Sequence, residues 1–346
     1  MTLRDAGNLF WAGFPGRVLP GTLAARLERG ELGGVILFAR NFGSGEELAA
    51  LTAELAARWR GPGRLLLGVD QEGGRVARLR DVRWPSAGAL GGRDDTALTR
   101  AFADAMAREL LHYGFNTDFA PVLDVFTNPQ NTVIGDRAYG TEPGRVIRHA
   151  EAVLAAFAAR GLLSCGKHFP GHGDTLQDSH ERMAECRLPA DALAAVHERP
   201  FAALASRLDL LMTAHVLAPA LDPALPATLS PAWIGRARAL PFSGVLVSDD
   251  LEMGAMKAYA EGLGVAVLRA GLDMGMICAS TELLEESVAR VNAAGREEPA
   301  FLAALGEKAA RVDRLRLRAA APNPLPDPAA WRGETDRLLA RLAGQD

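Results

Sequence analysis

Eight short apolar runs, each followed by a longer stretch of helical pattern, constrain this chain more than any other feature. The runs cover residues 9–14, 34–38, 65–70, 117–122, 162–167, 210–215, 244–249 and 274–279. Alanine- and leucine-rich stretches, including 45–60, 96–113, 144–160, 190–207 and 282–294, lie between and after them. Strands that are apolar throughout are buried on both faces, and strands alternating with helices build parallel sheets. Eight such units close into a barrel more naturally than they extend an open sheet. The expected fold is therefore α/β, a single (β/α)8 TIM barrel with room for one irregular strand, over residues 1–320. Pro322, Pro324, Pro326 and Pro328 then break the pattern. Residues 321–346 should form a proline-rich linker and a C-terminal helix packed on the barrel.

Composition narrows the function classes. With 49% hydrophobic residues in 346 the chain can fill a core and is not a disordered one. A net charge of −4 without a basic patch gives no reason to expect nucleic acid or an anionic membrane as partner. Cys165, Cys186 and Cys278 are scattered, with no CxxC pair, and read as small buried hydrophobes. The first residues lack the pattern of a signal peptide, and no run reaches the ~18 apolar residues of a membrane span. A soluble, cytoplasmic monomer without a cofactor is expected.

Ionisable residues collect where the strands end. Asp70 closes the third run, Lys167 and His168 the fifth, His215 the sixth, and Asp249 with Asp250 the seventh. In a parallel barrel these ends and the loops after them form the active-site face. Alternation along a strand allows at most one of Asp249 and Asp250 to face a substrate, and parity does not say which.

The loop after the fifth run reads Lys167-His-Phe-Pro-Gly-His-Gly-Asp-Thr-Leu-Gln-Asp-Ser-His180. A loop so dense in histidine transfers protons or binds metal, although His172, between two glycines, also suits a hydrogen bond within the turn. Asp178, two residues before His180, is placed to orient its imidazole. After the third run, Val69-Asp-Gln-Glu-Gly-Gly-Arg-Val76 and Arg78 offer a carboxylate and two arginines. They suit a hydroxyl-rich ligand or, for Arg75, a loop ion pair. No phosphate-binding glycine motif accompanies them.

These stretches, with Phe119-Ala-Pro-Val-Leu-Asp-Val125, Met212-Thr-Ala-His215 and Ser248-Asp-Asp-Leu251, resemble glycoside hydrolase family 3. The resemblance is to its bacterial β-N-acetylglucosaminidases of peptidoglycan recycling, and it runs in family order from about residue 34 to 280. It implies that Asp249 is the nucleophile of a retaining reaction. It also implies that His180, paired with Asp178, is the acid/base, and that Asp70, Arg78, Arg137, Lys167, His168 and His215 hold substrate. The expected partner is a muropeptide or disaccharide containing N-acetylglucosamine. The Asp-x-His pair and the missing second domain separate this branch from the β-glucosidases of the same family. Two departures concern the leaving-group side: Gly275, where a bulkier apolar residue is usual, and the variable loop 125–133.

Two alternatives remain at the level of sequence. A neutral imidazole base could let phosphate replace water, giving a phosphorylase. A metal-dependent hydrolase would use His168, His172, His215 and Asp249 as ligands, but the first run ends Ala12-Gly-Phe14, without the His-x-His pair such barrels commonly carry there.

Overall fold

The computed structural model describes residues 5–175, 183–259 and 261–344. Eight parallel strands close into a barrel, each within one of the eight apolar runs apart from the last residues of β5 and β7. They are β1 (Phe10–Ala12), β2 (Gly34–Ile36), β3 (Leu66–Val69), β4 (Thr117–Asp118), β5 (Leu163–Phe169), β6 (Leu210–Thr213), β7 (Val245–Asp250) and β8 (Met274–Ile277). Each strand pairs with its sequence neighbours, and β1 closes the ring on β8. The expected TIM barrel is borne out.

Helices line the outside: α1 (Gly21–Arg29), α2 (Gly45–Arg58), α3 (Ala87–Arg93), α4 (Thr96–His112), α5 (Pro143–Arg160), α6 (Arg199–Leu204), α7 (Pro231–Arg238), α8 (Leu263–Ala270), α9 (Thr281–Glu297), α10 (Pro299–Arg318) and α11 (Pro328–Ala343). The helical stretch expected at 190–207 is interrupted by a π-turn at Leu193–His197. Pro200, with no N–H to give, sits in the first turn of α6, where it is tolerated. The α11 helix lies on α4, where the Trp331 indole donates to Ala105 O at 3.3 Å and Glu334 pairs with Arg108 at 2.7 Å. No helix among the described residues is long and apolar enough to cross a membrane.

The period-2 alternation of each strand splits the core in two. Trp11, Ile36, Leu66, Phe119, Leu163, Cys165, Leu210, Met212, Val245, Val247, Met274 and Met276 fill the barrel, and the residues between them pack with the helices. Val312, Leu315 and Ala319 of the α10 end join this inner cluster. Gly275 has a steric reason: a Cβ there would lie 2.9 Å from the Phe10 ring and 3.2 Å from Leu251.

Two β-bulges shape the top of the barrel. Between the pairs Gly166↔Leu211 and Phe169↔Thr213, β5 spends three residues against two of β6. Between Met274↔Val247 and Met276↔Asp250, β7 does the same against β8. Each bulge re-aims side chains at the strand end.

Candidate active site

The inner rows continue upward into charge. Leu66 and Gly68 lead to Asp70, Leu163 and Cys165 to Lys167, and Val245 and Val247 to Asp249. The same alternation that fills the barrel therefore places a carboxylate or an ammonium at the top of β3, β5 and β7. Asp70, Glu72, Arg78, Arg137, Lys167, His168, Asp249 and Asp250 line one cavity of about 220 Å³, with Met212, Met276 and Phe38 among its apolar walls.

The expectation that only one of Asp249 and Asp250 reaches the cavity is corrected: both border it. The bulge in β7 is the reason, because alternation fails where the ladder carries an extra residue. Asp249 Oδ1 accepts the Asp250 N–H at 2.8 Å. Asp250 Oδ1 turns to the N–H groups of Glu252 at 3.1 Å and Cys278 at 3.3 Å. The two carboxyls titrate apart. Burial would raise Asp249, but His168, His215, the Asp250 N–H and Lys167 outweigh it and hold that carboxyl below the usual range. Burial, helped by the charges of Glu252 and Asp249, pushes Asp250 up to about 6. An ionised acid thus stands beside a partly protonated one.

Across the cavity an ionic network joins the loops after β3 and β4 to the end of β5. Lys167 Nζ lies 2.8 Å from Asp70 Oδ1 and 2.6 Å from Glu72 Oε1. Arg78 Nη2 donates to Asp70 Oδ2 at 3.2 Å. Arg137 grips Glu72 in a bidentate pair, both bonds at 2.8 Å. Burial opposes the charges of Asp70, Glu72 and Lys167, yet the pairing prevails: Asp70 and Glu72 are held below the carboxylate range, and Lys167 is held above that of an ordinary lysine. The turn that delivers Glu72 needs its glycine, since Gly73 has φ +89° and a Cβ there would stand 2.1 Å from Pro85 O.

His168 faces the cavity with its Nδ1 2.7 Å from the fully buried Asp124 carboxylate and its Nε2 3.2 Å from Arg137. His172 bonds within its turn, Nδ1 to Thr175 Oγ1 at 2.7 Å, and burial lowers it to about 4. Arg75 makes a loop ion pair with Asp136 at 3.0 Å. His215 is buried close enough to Asp249 to help hold its carboxyl down, with its Nε2 2.9 Å from Asp250 O and its Nδ1 2.9 Å from Thr228 Oγ1. Asp178 and His180 lie outside the described residues. The loop that carries them leaves β5 against the loop after β4: a Cβ on Gly173 would stand 1.8 Å from Val125 O, so only glycine allows the approach. Glu72 and Asp124 have no role in the sequence reading. Their signal was present, a second acid two residues after Asp70 and a lone acid in the apolar run 119–125.

Carboxylates and cations meeting on the carboxyl face of a closed parallel barrel define an enzyme site for a polar, hydroxyl-rich ligand. Residues 19–315 match the N-terminal domain of glycosyl hydrolase family 3. The chain is similar to the β-hexosaminidase of Alkalilimnicola ehrlichii, 43% identical over 261 residues, which is 71% of this chain and 74% of that one. Its fold matches the family 3 β-N-acetylglucosaminidase of Paenibacillus sp. str. FPU-7 with a TM-score of 0.88 and 32% identity, over 98% of this chain and 68% of that one. NagZ from Neisseria gonorrhoeae, in complex with N-trifluoroacetyl-D-glucosamine, matches with a TM-score of 0.77 and 30% identity, over 99% of this chain and all of that one. The chain belongs to glycosyl hydrolase family 3 and is a glycoside hydrolase.

Proposed function

We propose that the chain is a retaining exo-β-N-acetylglucosaminidase acting in the cytoplasm on muropeptides, or on the corresponding disaccharide, with Asp249 as nucleophile. The observation that carries this reading is the Asp249 carboxylate, held ionised on the opposite side of the cavity from Asp70 and Arg78. Strands β3 and β7 stand four places apart in the ring of eight, so they face each other. A sugar whose anomeric carbon lies over Asp249 would point its far hydroxyls at the β3 cluster. A cavity of about 220 Å³ over the packed barrel interior suits one terminal ring, which supports exo action. The names and ligand of the similar proteins support an N-acylated glucosamine as that ring.

Asp249 would attack the anomeric carbon while protonated His180, oriented by Asp178, gives its proton to the leaving oxygen. Neutral His180 would then take a proton from the water that frees the sugar. An imidazole here replaces the second carboxylate of the usual pair and brings no further negative charge near the ester. Asp70, Arg78, Arg137, Lys167 and His168 hold the ring, with His215 at the Asp249 end of the site, bonded to the Asp250 carbonyl.

The test is turnover of 4-nitrophenyl β-N-acetylglucosaminide, of the matching β-glucoside and of a muropeptide, before and after dialysis against EDTA. The reading requires hydrolysis of the first and third only, unchanged by EDTA, with the β-anomer as first product. Loss on dialysis with recovery on adding zinc would favour the metal-dependent alternative.

A further inference from the structure

Where β7 and β8 begin, on the face of the barrel away from the active site, three cations gather around one carboxylate. Asp273, fully buried just before β8, accepts the Leu246 N–H on Oδ2 at 2.8 Å and the Arg311 Nε proton on Oδ1 at 2.8 Å. Arg238, the last residue of α7, adds its Nη2 to Oδ2 and gives Nη1 to Gly244 O at 3.2 Å. Lys308 precedes Arg311 by three residues on α10, so the two side chains leave the same face of the helix. The cluster thus holds two arginines, one lysine and a single buried carboxylate. Glu307, the other acid acting on the lysine, is exposed to water.

Lys308 is the member without a partner. It is 6% exposed, yet among the described residues its Nζ has no hydrogen bond and no ion pair. Lysines are seldom buried to that degree unless paired. Burial, with the charges of Arg311 and Arg238, outweighs Asp273 and Glu307 and brings the amine down to about 8. The choice of residue adds to this. Of 38 basic residues only three are lysines: Lys167 in the active site, exposed Lys257, and Lys308. Elsewhere the chain uses arginine, which holds its charge at any ordinary pH and offers no nucleophilic amine. Among the described residues Arg311 gives only Nε to an acceptor, which leaves both of its Nη groups for a further anion.

We propose that Lys308 is a carbamylation site: carbon dioxide adds to its Nζ, and the Arg311 and Arg238 guanidiniums hold the carbamate. The neutral amine forms an N–C bond to the carbon of carbon dioxide, one C=O bond becomes the carbamate C–O⁻, and a proton passes from nitrogen to water. The lysine changes from cation to anion, and two guanidiniums then face two anions, Asp273 and the carbamate. Guanidinium–carboxylate contacts of this kind are strong charge-assisted bonds. The unfolded chain competes poorly, because a solvated lysine, with its pKa of ~10.4, is protonated near pH 8. Carbon dioxide therefore binds the folded chain in preference and stabilises it. The cluster lies where the strands start, the face of such barrels that serves stability, so its effect falls on stability and not on turnover. It does not depend on what the barrel hydrolyses.

The test uses the intact chain near pH 8, where about half of the Lys308 amine is neutral, with carbon-13 bicarbonate as the source of carbon dioxide. Alkylation with a trialkyloxonium salt converts a carbamate to a stable ester, which peptide mass spectrometry locates. The label is expected on Lys308 and is lost in Lys308→Arg and Lys308→Met. Bicarbonate should raise the melting midpoint of the wild type by about 2 °C or more and leave that of Lys308→Met unmoved. Sulfate at equal ionic strength should not reproduce the shift. Label confined to the N-terminus and Lys257 overturns the proposal. So does an equal shift with sulfate and no label on Lys308, which would mean a bound oxyanion in place of a carbamate. If Lys308→Met does not fold, the label on the wild type still decides.

Discussion

Glu72 and Lys167 form a buried ion pair at 2.6 Å, their side chains only 4% and 3% exposed. Removing one member of such a pair leaves a charge without solvent or partner, and here Glu72 also neutralises Arg137. Glu72→Gln keeps the shape and loses the charge. It is expected to lower stability by about 3 kcal/mol and to weaken sugar binding, since Arg137 loses its bidentate carboxylate and Lys167 keeps only Asp70. Denaturant titration and KM together check this. The acid side of the stability curve should change as well. Glu72 is held below its unfolded-state range, so the stability it contributes is present above about pH 4.3 and is lost as pH falls below it. In Glu72→Gln that part of the acid loss should be missing.

Glu109 behaves in the opposite sense. Burial pushes its carboxyl up to about 7, although the Trp84 indole donates to it at 2.7 Å. An acid with a raised folded-state pKa keeps its proton in the native state and loses it when unfolded. Stability is therefore expected to fall as pH rises from about 4.3 to 7, by up to about 3 kcal/mol. Glu109→Gln, matched to the neutral form, should remove this slope. Denaturant midpoints at pH 5 and pH 8 for the two proteins measure it; equal slopes would show that Glu109 is ionised in the native state throughout.

His180 is expected to reveal itself by leaving group. A general acid matters in proportion to how badly the departing oxygen needs a proton. His180→Ala should therefore slow cleavage of a natural disaccharide far more than that of an aryl glycoside. With the aryl substrate the second step should become limiting and glycosyl-enzyme should accumulate. Asp178→Asn should give a milder version. Equal losses in kcat/KM on both substrates would mean that His180 binds sugar instead of moving protons.

Much of this was legible in the sequence because it depends on local pattern. Strands buried on both faces leave uninterrupted apolar runs, and all eight barrel strands begin within them. Asp70, Lys167 and Asp249 could be placed at strand ends for the same reason. What could not be read depends on register between strands. The bulges that turn Lys167 with His168, and Asp249 with Asp250, toward one cavity exist only in the pairing of β5 with β6 and of β7 with β8. The roles of Glu72 and Asp124 could not be read because their partners, Arg137 and His168, come from distant segments, the loop after β4 and the end of β5. The bond of His215 to the Asp250 carbonyl likewise depends on how β6 lies beside β7.

The central claim is that Asp249 forms the bond to the sugar, and mass spectrometry of a trapped intermediate tests it most directly. A 5-fluoro-N-acetylglucosaminyl fluoride should load the enzyme quickly through its fluoride leaving group and release it slowly, because the ring fluorine disfavours the charged transition state of both steps. The account predicts one added sugar, esterified to Asp249 in the digested peptide. Asp249→Ala should take up none and lose several orders of magnitude in kcat. A sugar found on Asp250, or a fully active Asp249→Ala, would contradict it.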